Sequence, residues 1–223
     1  MNLGDCLKSL RAQSHPPYEI ICVDSGSKDG TVEAAHGYGA KVLSLPKIEG
    51  RFDDVGLARQ LGSEEASGEI IVSTDADVTH PSDWLEKIDK RFSENPRLVL
   101  LGGPSIPLDR STVNDFFTMT NFVRSWWAGW GVPVLSGQNT SFRKEAFMNS
   151  EGYKGVAAHG PIEEWVVSMR LARFGEWQWD DNLPVYIKIP LRRQIEAVLP
   201  GAAVAPLAAW TIASRVYEAV AWL

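Results

Sequence analysis

Leu3, Leu7 and Leu10 recur at helical spacing and predict an amphipathic helix over residues 2–14, which Pro16-Pro17 ends. The apolar run at residues 18–23 is short enough for a buried strand. It runs into a polar turn, Asp24-Ser-Gly-Ser-Lys-Asp-Gly30, where Asp29 or Thr31 can cap the next helix. The alternation continues with a strand over 40–45, a helix over 53–66, a strand over 69–73, a helix over 81–92 and a strand over 98–101. Strands and helices taking turns with short polar links predict an α/β fold with a mostly parallel central sheet flanked by helices. Later residues are less regular. They predict an aromatic-rich helix over 113–129, an extended segment over 134–142, a helix over 161–174 and a strand over 183–189. No internal repeat or linker divides them, so one domain is expected over 1–190, with a first half (1–105) and a sequence-distinct second half (106–190).

In sheets of this kind ligands bind beyond the carboxyl ends of the strands. Two polar, acidic turns lie there, Asp24-Ser25 and Asp75-Ala76-Asp77, and the rule puts both on one rim. Asp75 and Asp77 sit two apart just past an apolar strand, so both carboxylates can face one site. Two hard oxygen ligands suit Mg²⁺ or Mn²⁺, completed by water and phosphate oxygens. The competing explanation is a solvated turn with Asp77 capping the following helix. Likewise Asp24 can accept hydrogen bonds from a base or ribose, or serve only as turn chemistry.

Of the 223 residues, 44% are hydrophobic and 22% charged, which fits a folded globular domain. The formal net charge of −6 argues against a general nucleic-acid binder, which needs a basic face. A bound divalent cation can still supply positive charge locally to a phosphate. The two cysteines, Cys6 and Cys22, fit no zinc or redox spacing and are read as reduced thiols. The four histidines are scattered, with His159 placed in a loop ahead of Glu163.

Three segments occur in order: residues 23–31 (Val-Asp-Ser-Gly-Ser-Lys-Asp-Gly-Thr), 56–62 (Gly-Leu-Ala-Arg-Gln-Leu-Gly) and 66–77 (Ala-Ser-Gly-Glu-Ile-Ile-Val-Ser-Thr-Asp-Ala-Asp). Together they resemble the family 2 glycosyltransferases of GT-A fold, over roughly residues 1–190. The resemblance implies an inverting transfer from a nucleoside-diphosphate sugar, UDP- or GDP-linked, to a saccharide or polyprenyl-phosphate-type acceptor. It implies that Asp24 and Ser25 contact the nucleoside, and that Arg59 lies near the base or diphosphate. Asp75 would contact ribose or metal, and Asp77 would hold the Mg²⁺ or Mn²⁺. Gly137 to Arg143 resembles the acceptor-side segment, which makes Gln138 and Asn139 acceptor-side residues. Glu163-Glu164 followed by Arg170-Leu171 resembles the family's acidic pair, with Glu164 as catalytic base and Glu163 beside the acceptor. On residue chemistry alone the two glutamates also suit a helix N-terminus. Gln60 and Glu164 replace the family's more common asparagine and aspartate. The apolar strand that usually precedes the first helix is absent from this sequence, which predicts a gap in mid-sheet.

Phe116, Phe117, Phe122, Trp126, Trp127 and Trp130 crowd one helix. They either pack on the sheet, line an acceptor, or face a membrane interface. Residues 197–214 carry no charge and follow Lys188, Arg192 and Arg193. A C-terminal apolar helical tail is expected over 191–223, with membrane contact through 197–223. The basic residues before it place the domain on the cytoplasmic side of the membrane, peripheral or C-terminally anchored, and otherwise in the cytoplasm. The alternative reading is a catalytically inactive GT-A-fold binding or scaffold protein. A nucleotidyltransferase would need a glycine-rich phosphate loop near the first strand, and none is present.

Overall fold

The leucine stripe at the start of the chain forms helix α1 (Leu3–Arg11), which buries Leu3, Cys6, Leu7 and Leu10. The structure, a computed structural model, describes residues 3–45, 55–108, 112–133, 136–156, 161–188 and 219–222. Strand β1 (Glu19–Asp24), helix α2 (Thr31–Gly37), strand β2 (Lys41–Ser44), helix α3 (Val55–Glu65) and strand β3 (Ile70–Ser73) follow as predicted. A two-residue strand β4 (Val78–Thr79) leads to helix α4 (Trp84–Glu94), strand β5 (Leu98–Gly102) and strand β6 (Ser105–Pro107). Then come helix α5 (Thr112–Gly129), strand β7 (Thr140–Arg143), helix α6 (Lys144–Asn149) and helix α7 (Pro161–Leu171). Strands β8 (Glu176–Trp179), β9 (Val185–Ile187) and β10 (Ala219–Trp222) complete the described chain.

The main sheet has seven strands in the order β2-β1-β10-β3-β7-β5-β8. Pairs β1–β2 and β5–β8 are parallel, whereas β10 and β7 run antiparallel to both of their neighbours. Strands β1, β2, β3, β5 and β8 therefore point one way, and β7 and β10 the other. A second sheet has the order β4-β9-β6.

Alternation along the strands explains the two-sided core. Ile20 and Cys22 of β1 and Val72 of β3 face α1 and α4, where they meet Leu7, Trp84 and Ile88. Ile21, Val23 and Ile71 face the opposite layer, with Ala58 of α3, Phe147 of α6 and Leu171 of α7. Every residue of β3 and β5 is buried, as covered inner strands require.

Two expectations are corrected. The mid-sheet position expected to be open is held by β10, which pairs with β1 from Glu19 to Cys22 and with β3 from Ile71 to Ser73. Residues 219–222 are accordingly a strand rather than part of a helical tail. The rest of the tail, the start of the helix expected from 53, residues 134–135 and His159 lie outside the described residues. Pairing also creates β4, β6 and β8, and the segment expected to be extended begins as a 3₁₀ turn, Gly137–Asn139.

Behind the rim, the buried His80 ring stacks on Trp84 with centroids 4.2 Å apart. Its Nδ1 lies 2.9 Å from Ser9 Oγ and its Nε2 2.8 Å from Thr74 Oγ1, so it ties α1 to the end of β3. Burial lowers its pKa from 6.5 to about 3. An unfolded histidine takes up a proton below 6.5 and the folded one resists it, so this contribution is full above pH 6.5 and is lost as pH falls toward 3. The stability advantage of wild type over His80→Gln, measured by urea unfolding across pH, is expected to shrink steadily below pH 6.5.

Candidate active site

Strands β1 and β3 end at the same rim, and β7 starts there because it runs the opposite way. This brings the loop after Asp24, the turn after Ser73 and the 3₁₀ turn Gly137–Asn139 together. Asp24 is buried, and its carboxylate accepts hydrogen bonds from the backbone N–H of Gly26 at 2.9 Å and of Ser27 at 3.1 Å. Gly26 sits at φ 97°, a left-handed conformation that suits glycine. Asp24 thus shapes the loop, and half-buried Ser25 lies on it.

Asp75 and Asp77 are both half-buried and bracket Ala76, which is fully buried. The Val78 N–H closes this turn on Asp75 O at 3.2 Å. Burial first, then the charges of Cys22, Asp77 and Asp75, push the Cys6 thiol well above its ordinary pKa. Both carboxylates therefore act at the same end of α1. Among the described residues no group of three or more His, Cys, Asp and Glu gathers as a metal cage. A donor set of two carboxylates fits Mg²⁺ or Mn²⁺ that draws its other oxygens from phosphate and water.

Arg59 of α3 joins the two halves of the site. It is buried, with Nη2 donating to Asp75 Oδ1 at 2.7 Å and Nη1 paired with Glu164 Oε1. That leaves Asp75 Oδ2 for a cation. Glu164 Oε2 accepts a hydrogen bond from the Tyr153 hydroxyl at 3.0 Å. Burial pushes Glu164 above the ordinary glutamate pKa, against the opposing pull of Arg59 and Tyr153. Gly137 closes over this pair. A Cβ there would collide with the Arg59 guanidinium and with Glu164 Oε1.

The other acceptor-side expectations divide. Gln138 is half-buried on the rim. Asn139 is turned inward, its Nδ2 donating to Pro104 O at 3.0 Å and Leu183 O at 2.8 Å, while its Oδ1 accepts from Trp84 Nε1 at 3.3 Å. Its amide secures the rim from within. Glu163 is also buried and faces α3, its Oε2 2.6 Å from where a Cβ on Gly56 would stand. Of the acidic pair, Glu164 joins Arg59 directly.

Residues 2–150 match the family model described as glycosyl transferase family 2. The chain belongs to this family. Glycosyltransferase AglE of Haloferax volcanii is 35% identical over 89 residues, 39% of this chain and 29% of that protein. The glucosyl-dolichyl phosphate glucuronosyltransferase of the same organism is 23% identical over 159 residues, 68% of this chain and 51% of that protein. The chain thus spans about half or less of the length of these relatives. A mannosyltransferase from Pyrobaculum calidifontis, solved with GDP-Man and Mn²⁺, superposes with a TM-score of 0.62 at 19% identity, covering 85% of this chain and 54% of that one. TarS of S. aureus, solved with UDP, superposes with a TM-score of 0.62 at 17% identity, covering 84% and 56%. These likenesses establish the GT-A fold.

In this family member, Tyr153 and Arg124 stand beside Glu164, and neither was singled out from the sequence. Tyr153 is placed by a chain of contacts. Arg170 Nη1 donates to Gly152 O at 2.7 Å and Lys154 O at 2.8 Å, and Gln60 Oε1 accepts the Tyr153 N–H at 2.8 Å. The arginine–leucine step on α7 thereby organises the loop that supports Glu164. Tyr153→Phe removes a hydrogen bond that favours the charged carboxylate, so the Glu164 pKa rises. The Glu164 carboxyl, followed by NMR titration, is expected to titrate at higher pH, with about 1 kcal/mol lost in unfolding free energy.

Proposed function

We propose that this glycosyltransferase moves a sugar, with inversion, from a UDP- or GDP-sugar to a hydroxyl of a saccharide or polyprenyl-phosphate-type acceptor. The observation that carries the reading is the buried Arg59 bridge between Asp75 and Glu164. One carboxylate belongs to a motif suited to a metal-bound diphosphate, and the other to a residue suited to proton abstraction.

Asp75 and Asp77 would hold Mg²⁺ or Mn²⁺, which as a Lewis acid stabilises a departing diphosphate. The loop shaped by Asp24, with Ser25 on it, receives the nucleoside. Glu164 takes the proton from the acceptor hydroxyl, and that oxygen attacks the anomeric carbon from the face opposite the nucleoside diphosphate. An elevated pKa makes Glu164 a better acceptor near neutral pH than an ordinary glutamate. Gln138 lines the acceptor side. The bound GDP-Man, Mn²⁺ and UDP of the structural neighbours support the donor and metal assignments. Two relatives, a glucosyl-dolichyl phosphate glucuronosyltransferase and a dolichyl-phosphate beta-glucosyltransferase, support a lipid-linked acceptor. Membrane contact through 197–218, ahead of β10, on the cytoplasmic side belongs to the same reading. Among the described residues no helix is long and apolar enough to cross a membrane.

Calorimetry with UDP- and GDP-sugars tests the donor site. Asp77→Ala is expected to abolish the Mn²⁺-dependent part of donor binding, and unchanged heats would remove the metal assignment. Glu164→Gln should keep donor binding and lower kcat by about 100-fold or more. Full turnover by that variant would exclude Glu164 as the base.

A further inference from the structure

Helix α5 reverses the usual arrangement of a surface helix. Met119, Phe122 and Trp126, with Trp130 just beyond the helix, are 52%, 71%, 55% and 74% exposed. Their spacing of three, four and four residues places them on one face. The side turned to the protein carries polar groups as well as half-buried Trp127. Asn121 Nδ2 donates to Ser105 O at 2.7 Å, and Arg124 lies half-buried on that side. Large apolar side chains directed outward along one face mark a surface that meets an apolar ligand.

The position of Arg124 follows from a neighbouring contact. Trp127, one turn later, meets Trp165 of α7 with ring centroids 6.3 Å apart. Trp165 is next to Glu164, so the α5–α7 seam sets Arg124 beside the base. The two charges act on each other accordingly. Among the described residues the Arg124 guanidinium makes one hydrogen bond, from Nη1 to Thr120 Oγ1 at 3.3 Å. Most of its five donors are uncommitted. The guanidinium makes no hydrogen bond to Glu164, whose oxygens meet Arg59 and Tyr153. A half-buried guanidinium with spare donors is matched by a bidentate anion, and phosphate fits its fork. A neutral saccharide would match those donors less well than a charged phosphate does.

We propose that Arg124 holds the phosphate of a lipid-phosphate-linked sugar acceptor, whose apolar chain leaves along the Trp127–Trp165 seam onto the face bearing Phe122, Trp126 and Trp130. The inference rests on the reading of Glu164 as the base, which meets a hydroxyl of that sugar while Arg124 reads the charge beyond it. The cation selects the head group and the outward aromatic face selects the tail, so one amphiphile accounts for both.

Tryptophan fluorescence titrations with geranyl phosphate, geraniol and inorganic phosphate test this, using wild type, Arg124→Gln and Arg124→Lys. Wild type is expected to bind geranyl phosphate at least tenfold more tightly than either geraniol or phosphate. Arg124→Gln should bring geranyl phosphate down to the geraniol level, and Arg124→Lys should restore part of the difference. Calorimetry with a GDP-sugar and Mn²⁺, run on each variant, reports folding and the donor site separately. Equal binding of geranyl phosphate and geraniol by wild type would overturn the phosphate assignment. Phosphate bound as tightly as geranyl phosphate would overturn the lipid part. A weakening of donor binding by Arg124→Gln that matches its loss of geranyl phosphate would move Arg124 to the donor side and overturn the proposal. Absence of donor binding in wild type would instead sink the transferase reading, while the geranyl phosphate comparison still reports on Arg124.

Discussion

The guanidinium of Arg59 is the interaction on which the site depends. It is drawn from α3, yet its partners come from the turn after β3 and from α7. A buried charge is tolerated only when it is paired, and the two terminal nitrogens, Nη1 and Nη2, each have their own carboxylate. Because the partners lie on different elements, the pairing also fixes where α7 stands relative to the sheet rim. Asp24, Asp75, Asp77, Glu163 and Glu164 outnumber Arg59 and Arg124 there. A divalent cation at the aspartates would offset most of that negative excess and supply positive charge locally to a diphosphate.

The scaffold meets this demand with little spare room. Gly137 has no space for a Cβ beside Arg59 and Glu164, and Gly56 has none beside Glu163. Asn139 ties the rim to Pro104 and Leu183, while His80 ties α1 to Thr74 just before Asp75. The sheet below is buried on both faces, so the turns at its ends sit on strands that are hard to displace. Function here is placed on loops and held by a rigid base.

Legibility in the sequence follows the range of the physics. α1, β1, β3, β5 and α7 were readable because their apolar spacing is local. Asp75, Asp77 and Glu164 were readable because motifs place them at element ends. The strands β4, β6 and β8 are two to four residues long and arise from pairing, which leaves no period to detect. β10 is the extreme case, since residues 219–222 pair with residues 19–22 nearly two hundred positions away. Tyr153 and Arg124 reach Glu164 only through tertiary packing, so neither has a signature of its own. Asn139 shows the converse: a motif suggests an acceptor-side residue, but the side chain faces inward and donates to the carbonyls of Pro104 and Leu183.

A carboxylate held by two donors, as Glu164 is, can still accept a proton. Each carboxylate oxygen has two lone pairs, so Arg59 on Oε1 and Tyr153 on Oε2 leave one open on each. The two contacts therefore fix the direction of the remaining lone pairs without consuming them. Both contacts favour the charged form, and burial opposes them with the larger effect, raising the pKa overall. Arg59 and Tyr153 thus orient the carboxylate, and the dry surroundings give it basicity. A solvated glutamate at the same helix end would have neither property, which is why the burial of α7 against α3 matters as much as the identity of residue 164.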